Sequence, residues 1–482
     1  MPRPNSNRAT CWASALTFSL VSACSAGSTP ALPARVILIT CDTLRADRLG
    51  AYGYERDVSP SLDALASESV LFERAYSSAA STVPSVSSLL SGRLPDEIGV
   101  SGGNQTLMHP SVESLAEVAG KAGLIPGAVV SNWVLRVQPG HATAGVSQGF
   151  VFFDDKMDQL ESDRAVAERR ASGTTAVALA WLRERKQLGE ESFFLWVHYQ
   201  DPHGPYTPKD EFLESFEREA AEVSSEQLLP IKLGTNTSGR GQIPDYQIID
   251  GEARAFPYLD RYDAEIRTFD EALGELLKEL RDLEWFDSSL LVFTSDHGES
   301  LGEDDYWFCH GQSLADEVVR VPLIVRFPGA SSELQPARRT DIASHLDIYP
   351  TVLEHLGLAS SSSGSSLGSS LRAALPAERE LFQNCGELGS RRRHKALISG
   401  AWRVVRPAGK AAPSLFNLND ELTPELNVAE ENTERLREML DRLEELEAAI
   451  LPERDVIKRK ANRRDEEMLR ALGYAGDDER EQ

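Results

Sequence analysis

Two apolar runs, each halted by an acid, constrain this chain more than anything else in it. Val36-Ile37-Leu38-Ile39-Thr40 stops at Cys41-Asp42, and the run from Leu290 to Phe293 leads into Ser295-Asp296-His297-Gly298-Glu299. Short unbroken apolar runs with such ends read as strands buried on both faces. From Arg35 to about Gly357 runs of this kind alternate with helical patterns, which predicts an open α/β sheet with helices on both faces. In that architecture ligands gather in the crevice beyond the carboxyl ends of the strands. Asp42, Asp296 and His297 are therefore expected to converge on one divalent metal ion. The hydroxyl of Thr82, in Ser81-Thr82-Val83-Pro84-Ser85, is expected opposite them.

The remaining elements follow from spacing and punctuation. A helix is predicted near 59–69, with Ser59 as its cap and Pro60 at its first position. Charged amphipathic patterns predict further helices over 158–187 and 260–283. Phe193 to His198 reads as a fully apolar strand, with His203 just past its end. Residues 215–250 are polar and weakly periodic, as in a long surface insertion, and long loops in compact domains often shape function. The expected layout is a catalytic domain over 35–357, a Ser/Gly-rich linker over 358–376 and a small C-terminal subdomain over 377–450. Short β-like runs at 380–384, 395–399, 402–406 and 415–418 predict an antiparallel sheet there, and 431–449 a charged helix. A charged tail covers 451–482.

Charge and cysteine content exclude several classes. A formal net charge of −25 over 482 residues argues against nucleic-acid binding, which depends on Lys and Arg neutralising phosphates. Residues 1–24 read as an export signal: Arg3 and Arg8 precede an apolar stretch from Cys11 to Val21, followed by Ser22-Ala23-Cys24. Val-Ser-Ala-Cys is similar to a bacterial lipobox, in which Cys24 is lipidated, with 25–34 as a tether. The expected location is the bacterial cell envelope or periplasm, with the lipid at Cys24 as the only membrane attachment. No other apolar stretch approaches the roughly 20 residues of a spanning helix. Five cysteines imply no disulfide framework. Cys41 and Cys309 are either a disulfide or, the favoured alternative, two separate buried thiols.

The motifs, taken in order, resemble the sulfatase family of the alkaline phosphatase superfamily. Ser59-Pro60-Ser61-Leu62-Asp63-Ala64-Leu65-Ala66 is similar to the family's first helix, and Ser81 to Arg93 to its nucleophile motif. His198-Tyr199-Gln200-Asp201-Pro202-His203-Gly204-Pro205-Tyr206, the Asp-His-Gly motif at 296–298, Arg320-Val321-Pro322-Leu323-Ile324-Val325 and Asp347-Ile348-Tyr349-Pro350-Thr351 follow. Leu415-Phe416-Asn417-Leu418-Asn419-Asp420 resembles the family's C-terminal signature. The resemblance spans about 35 to 429 and implies a metal-dependent ester hydrolase.

Three departures shift the expected chemistry. Where sulfatases carry a Cys or Ser that becomes formylglycine, this chain has Thr82, and Val86 stands where they have Arg. Threonine's β-carbon already bears a methyl group, so oxidation cannot give the aldehyde. A sulfate ester on Thr82 lacks the carbonyl-forming exit that formylglycine provides, whereas a phosphate ester leaves by attack of water on phosphorus. The first acidic motif is Cys41-Asp42, not a pair of aspartates. The implied ligand set, Asp42, Thr82, Asp296 and His297, resembles that of phosphonate monoester hydrolases and phosphoethanolamine transferases. Its imidazole and carboxylates suit Zn²⁺ or Mn²⁺ ahead of Ca²⁺.

The resemblance also implies roles. Thr82 is the expected nucleophile, and His203 and His310 the groups that protonate the leaving oxygen or contact the transferred group. Asn104, in Gly102-Gly103-Asn104, resembles an asparagine that contacts the transferred group; a Gly-Asn turn is the alternative. Asn132 sits at the position of a sulfatase site lysine and carries less weight. His198 is left open between core and site. Arg45 and Asp47 are expected to form an ion pair, Asp347 to be structural, and His345 and His355 to have no role. One metal is expected, and the substrate a small-molecule or glycan ester of phosphate, phosphonate or sulfate. The alternatives are a sulfate ester hydrolase without formylglycine, an envelope transferase, and a non-catalytic binder of anionic glycans.

Overall fold

The computed structural model describes residues 34–100, 104, 106–137, 145–157, 159–160, 167–329, 334, 336–358, 367–386, 393–419, 426–450, 456–458, 463 and 467. The expected export signal with Cys24, most of the expected tether, part of the Ser/Gly-rich stretch and most of the charged tail lie outside these residues.

The apolar runs become one eight-stranded sheet. Its strands in chain order are β1 (Arg35–Cys41), β2 (Val70–Tyr76), β3 (Ile125–Val130), β4 (Phe152–Asp154), β5 (Phe193–Tyr199), β6 (Leu290–Ser295), β7 (Arg320–Arg326) and β8 (Ala337–Ser344). The spatial order is β8-β2-β7-β6-β1-β5-β3-β4. β7 runs antiparallel to β2 and β6, while the other pairs are parallel. Side chains alternate across β1: Val36 and Leu38 pack into one apolar layer, Ile37, Ile39 and Cys41 into the other. Burying both faces is what a parallel sheet requires, at roughly 1.5–3 kcal/mol for each large side chain removed from water.

Helices cover both faces. α1 (Pro60–Ser67), α4 (Ala171–Leu188) and α5 (Ala255–Asp282) supply the layer that takes Ile37 and Ile39; α2 (Thr82–Ser91), α3 (Leu115–Lys121) and α6 (Ile348–His355) supply the other. The helix expected over 158–187 begins only at Ala171. Ser59 holds the N-cap position of α1 and Pro60 the first helical position, but the Ser59 hydroxyl makes no cap: it donates to Asp63 and accepts from the Gly50 N–H. Arg45 pairs with Asp47 at 2.7 Å and also with Glu303.

A second, four-stranded antiparallel sheet follows the first: β9 (Glu380–Cys385), β10 (His394–Ser399), β11 (Trp402–Arg406) and β12 (Ser414–Asn417), in that spatial order. α7 (Thr433–Ala449) packs on it through Met439 and Leu443. Asp347 joins this region to the first sheet, with both its oxygens 2.7 Å from the buried Arg379 guanidinium.

Register brings the ends of β1 and β6 together. Cys41 lies opposite Ser295 on one side and Tyr199 on the other. Asp42 and Asp296 are therefore the first residues beyond two adjacent strands, and the Asp296 N–H donates to the Cys41 carbonyl at 3.0 Å.

Candidate active site

Asp42, Thr82, Asp296 and His297 meet at the carboxyl edge of β1 and β6, all 0 % exposed. Thr82 is the first residue of α2, whose ten residues are all buried. Its hydroxyl lies 3.4 Å from Oδ2 of Asp42 and 3.3 Å from Nε2 of His297. Nε2 of His297 is in turn 3.6 Å from Oδ1 of Asp42 and 3.7 Å from Oδ2 of Asp296. Nδ1 of His297 faces the Gly298 carbonyl at 2.9 Å. A carbonyl only accepts, so Nδ1 carries the hydrogen and the Nε2 lone pair points at the two acids and Thr82. That is the tautomer of a metal-ligating histidine whose other nitrogen is held by the backbone.

His198 lies beside them. In β5 it lies opposite Thr40, and one atom each from Asp42, His198 and Asp296 fall within 4.8 Å of one another. Its Nδ1 contacts Thr40 Oγ1 at 2.8 Å, and that oxygen accepts from Trp196 Nε1 at 2.9 Å. Nε2 of His198 is buried and makes no hydrogen bond. A buried imidazole nitrogen with no protein partner, beside two carboxylates, fits a bound cation. Burial pushes Asp296 up to about 8, against the lowering effect of the N–H groups of His297 and Thr43. A cation would offset the desolvation that causes this shift. Two carboxylates, two imidazoles and a hydroxyl are the donors Zn²⁺ or Mn²⁺ would take.

The surrounding polar groups hold this cluster in place. Asn132 donates from Nδ2 to Oδ2 of Asp42 and accepts from the Val134 N–H at 2.8 Å. Asn104 accepts from the Val83 N–H at 2.9 Å, so its oxygen braces the first turn of α2 beside Thr82. Ser85 donates to the Asp296 carbonyl at 2.6 Å and lies 3.1 Å from Nδ1 of His345. His345, expected to have no role, contacts the Ser295 carbonyl through Nε2 at 2.9 Å and so backs the end of β6.

His203 and His310 form the outer part of the site. His203 donates from Nδ1 to the Gly204 carbonyl at 2.6 Å. The His310 ring lies 4.5 Å from that of His297 and 5.1 Å from that of His203, centre to centre. Burial holds His203 and His310 well below the usual imidazole range; His310 lowers His203 further, and His297 lowers both. The insertion at 215–250 packs against the loop that carries His310. The Trp307 N–H donates to the Gly239 carbonyl at 2.9 Å and the Gly241 N–H to that of Asp305 at 2.8 Å. A Cβ on Gly239 would stand 2.5 Å from the Trp307 carbonyl oxygen, so the approach requires glycine. Cys41 and Cys309 are separate buried thiols, not a disulfide.

The fold is that of a hydrolase of the alkaline phosphatase superfamily. The sulfatase family matches residues 34–358, and the chain belongs to that family. It is 28% identical to human iduronate 2-sulfatase over 382 residues, covering 70% of this chain and 68% of that one. It is 28% identical to the ulvan-active sulfatase of Formosa agariphila over 334 residues, 66% of this chain and 60% of the relative. Among solved structures, the fold is shared with the phosphonate monoester hydrolase of Silicibacter pomeroyi. That likeness has a TM-score of 0.67 at 20% identity and covers 87% of this chain and 96% of the other.

Proposed function

We propose that this protein hydrolyses a phosphate or phosphonate ester through a covalent intermediate on Thr82. The observation that carries the reading is the Thr82 hydroxyl at the start of α2, between Asp42 and His297. A divalent metal held by Asp42, Asp296, His297, His198 and Thr82 would lower the charge on the transferred group and favour the alkoxide of Thr82. Asp42 Oδ2, at 3.4 Å, is within reach of the Thr82 proton. The Thr82 oxygen attacks phosphorus, and the leaving oxygen departs opposite with a proton from His310. Water then cleaves the Thr82 ester. Asn104 and Asn132 keep α2 and Asp42 in register for both steps.

A second reading, hydrolysis of a sulfate ester without formylglycine, is favoured by relatives whose names are those of sulfatases. The test is turnover of p-nitrophenyl sulfate, p-nitrophenyl phosphate, bis-p-nitrophenyl phosphate and p-nitrophenyl phenylphosphonate with Zn²⁺ or Mn²⁺ present. Turnover confined to the phosphorus esters supports the first reading, and dominant sulfate turnover overturns it. A metal-loaded protein that turns over none supports a binding role toward anionic glycans.

The same reading takes 35–357 as the catalytic part and 377–450 as a subdomain. Export with a lipid at Cys24 rests on the Val21 to Cys24 motif. No helix among the described residues is long and apolar enough to cross a membrane. Incorporation of labelled palmitate, lost in Cys24→Ala, tests the anchor.

A further inference from the structure

Glu299 follows the metal-binding pair by two residues, and none of the roles assigned so far uses it. It is 0 % exposed, with no place on the surface and none in the ligand set. The loop after β6 turns back on itself through a two-way backbone bridge. The Ser300 N–H donates to the Cys309 carbonyl at 3.0 Å and the Cys309 N–H to that of Ser300 at 3.3 Å. The residues flanking this bridge, Glu299 and His310, are thereby brought side by side, with Oε1 of Glu299 3.1 Å from Nδ1 of His310. Arg45 fixes the backbone under the acid by donating to the Glu299 carbonyl at 3.1 Å.

We propose that Glu299 is a positioning residue that aims His310 at the leaving group; the inference rests on the phosphoryl-transfer reading above. An imidazole ring can turn over and exchange its nitrogens. A carboxyl engaged with Nδ1 holds the ring against this turn and keeps proton transfer on Nε2, as an acid behind a histidine does in a catalytic triad. In the first step the bond from the Thr82 oxygen to phosphorus forms as the bond to the leaving oxygen breaks. The Glu299–His310 pair enters this step with two protons, one held between Oε1 and Nδ1 and one on Nε2. The leaving oxygen keeps the bonding pair and takes the proton from Nε2, while the other stays between Nδ1 and the carboxyl. In the second step Nε2 takes a proton from water as the water oxygen bonds to phosphorus. The Thr82 oxygen leaves with its electron pair and is reprotonated. Glu299 touches neither substrate nor phosphorus in either step.

The test is a series of aryl phosphodiesters of rising leaving-group pKa, from dinitrophenyl to phenyl, with Glu299→Gln, His310→Gln and the double variant. Metal content and melting temperature are measured on each. A positioning role predicts a loss in kcat that is small for dinitrophenol and grows to about tenfold or more for phenol, within the range typical of general-acid catalysis. Glu299→Gln should add nothing once His310 is gone. Equal losses across the series, or additive losses in the double variant, overturn the proposal. ¹⁵N-histidine spectra give a readout independent of turnover. The Nδ1 resonance of His310 should move in Glu299→Gln while those of His297 and His203 hold, and an unmoved Nδ1 also overturns it. Should Glu299→Gln fail to fold, Glu299→Asp applies the same two criteria with the acid withdrawn by one methylene. Native protein inactive on every ester, or Thr82→Ala as active as native, would sink the underlying reading instead and leave the spectral test standing.

Discussion

The Thr82 hydroxyl lies 3.3 Å from Nε2 of His297, the nitrogen left without hydrogen because Nδ1 donates to the Gly298 carbonyl. Nucleophile and ligand therefore share one point, which the carboxylates of Asp42 and Asp296 also face. Replacing Thr82 by Ala removes the attacking oxygen and leaves those three in place. Ester turnover is expected to fall by about 10³ or more while metal stays bound, and Thr82→Ser to keep a measurable share. Steady-state rates with metal analysis on the same samples check this.

His198 is expected to bind the metal. Its unpartnered Nε2 and its place within 4.8 Å of Asp42 and Asp296 motivate the claim. His198→Ala should weaken Zn²⁺ affinity by about tenfold or more in a chelator competition. Unchanged affinity would return His198 to the core.

Gly92 ends α2 with φ of 66°, and a Cβ there would stand 2.6 Å from Cβ of Tyr349. Gly92→Ala meets both the left-handed backbone cost and an overlap with a fully buried ring. A loss of roughly 2 kcal/mol or more is expected from urea unfolding. A change under 0.5 kcal/mol, the usual range for surface sites, would contradict it.

Asp270 carries a pH dependence of known sign. It is 0 % exposed and accepts the N–H groups of Ser61 and Leu62 at the start of α1, and burial pushes it up to about 6 from 3.8. The folded carboxyl holds its proton more tightly than the unfolded one. Its contribution is thus fully present below about pH 4 and is lost as pH rises through about 6, some 3 kcal/mol in all. Between pH 4 and 6 the stability of native protein minus that of Asp270→Asn should fall; a flat difference would contradict this.

How much was legible follows from what each residue depends on. Asp42 and Asp296 could be found because each ends an apolar run, and the register of two adjacent strands then joins them. His198 could not be assigned, since every residue of β5 is buried and the pattern does not separate a core histidine from a ligand. Its position opposite Thr40, beside Asp42 and Asp296, is a matter of strand register that the local pattern does not carry. The hold of Asn132 on Asp42 comes from β3 lying beyond β5, a fact of strand order that no local pattern carries. Glu299 and His310 are both visible in the sequence, yet their contact depends on the Ser300–Cys309 bridge. Ser59 has the chemistry of a cap, but a turn and a neighbouring acid claim its hydroxyl first.

The central claim, a covalent intermediate on Thr82, is tested most directly by stereochemistry. Two in-line displacements at phosphorus restore the original configuration, whereas direct attack by water inverts it. Hydrolysis of a chiral phosphorothioate ester in ¹⁸O-labelled water is predicted to proceed with net retention. Net inversion would show that water attacks the substrate itself and would contradict a nucleophilic Thr82.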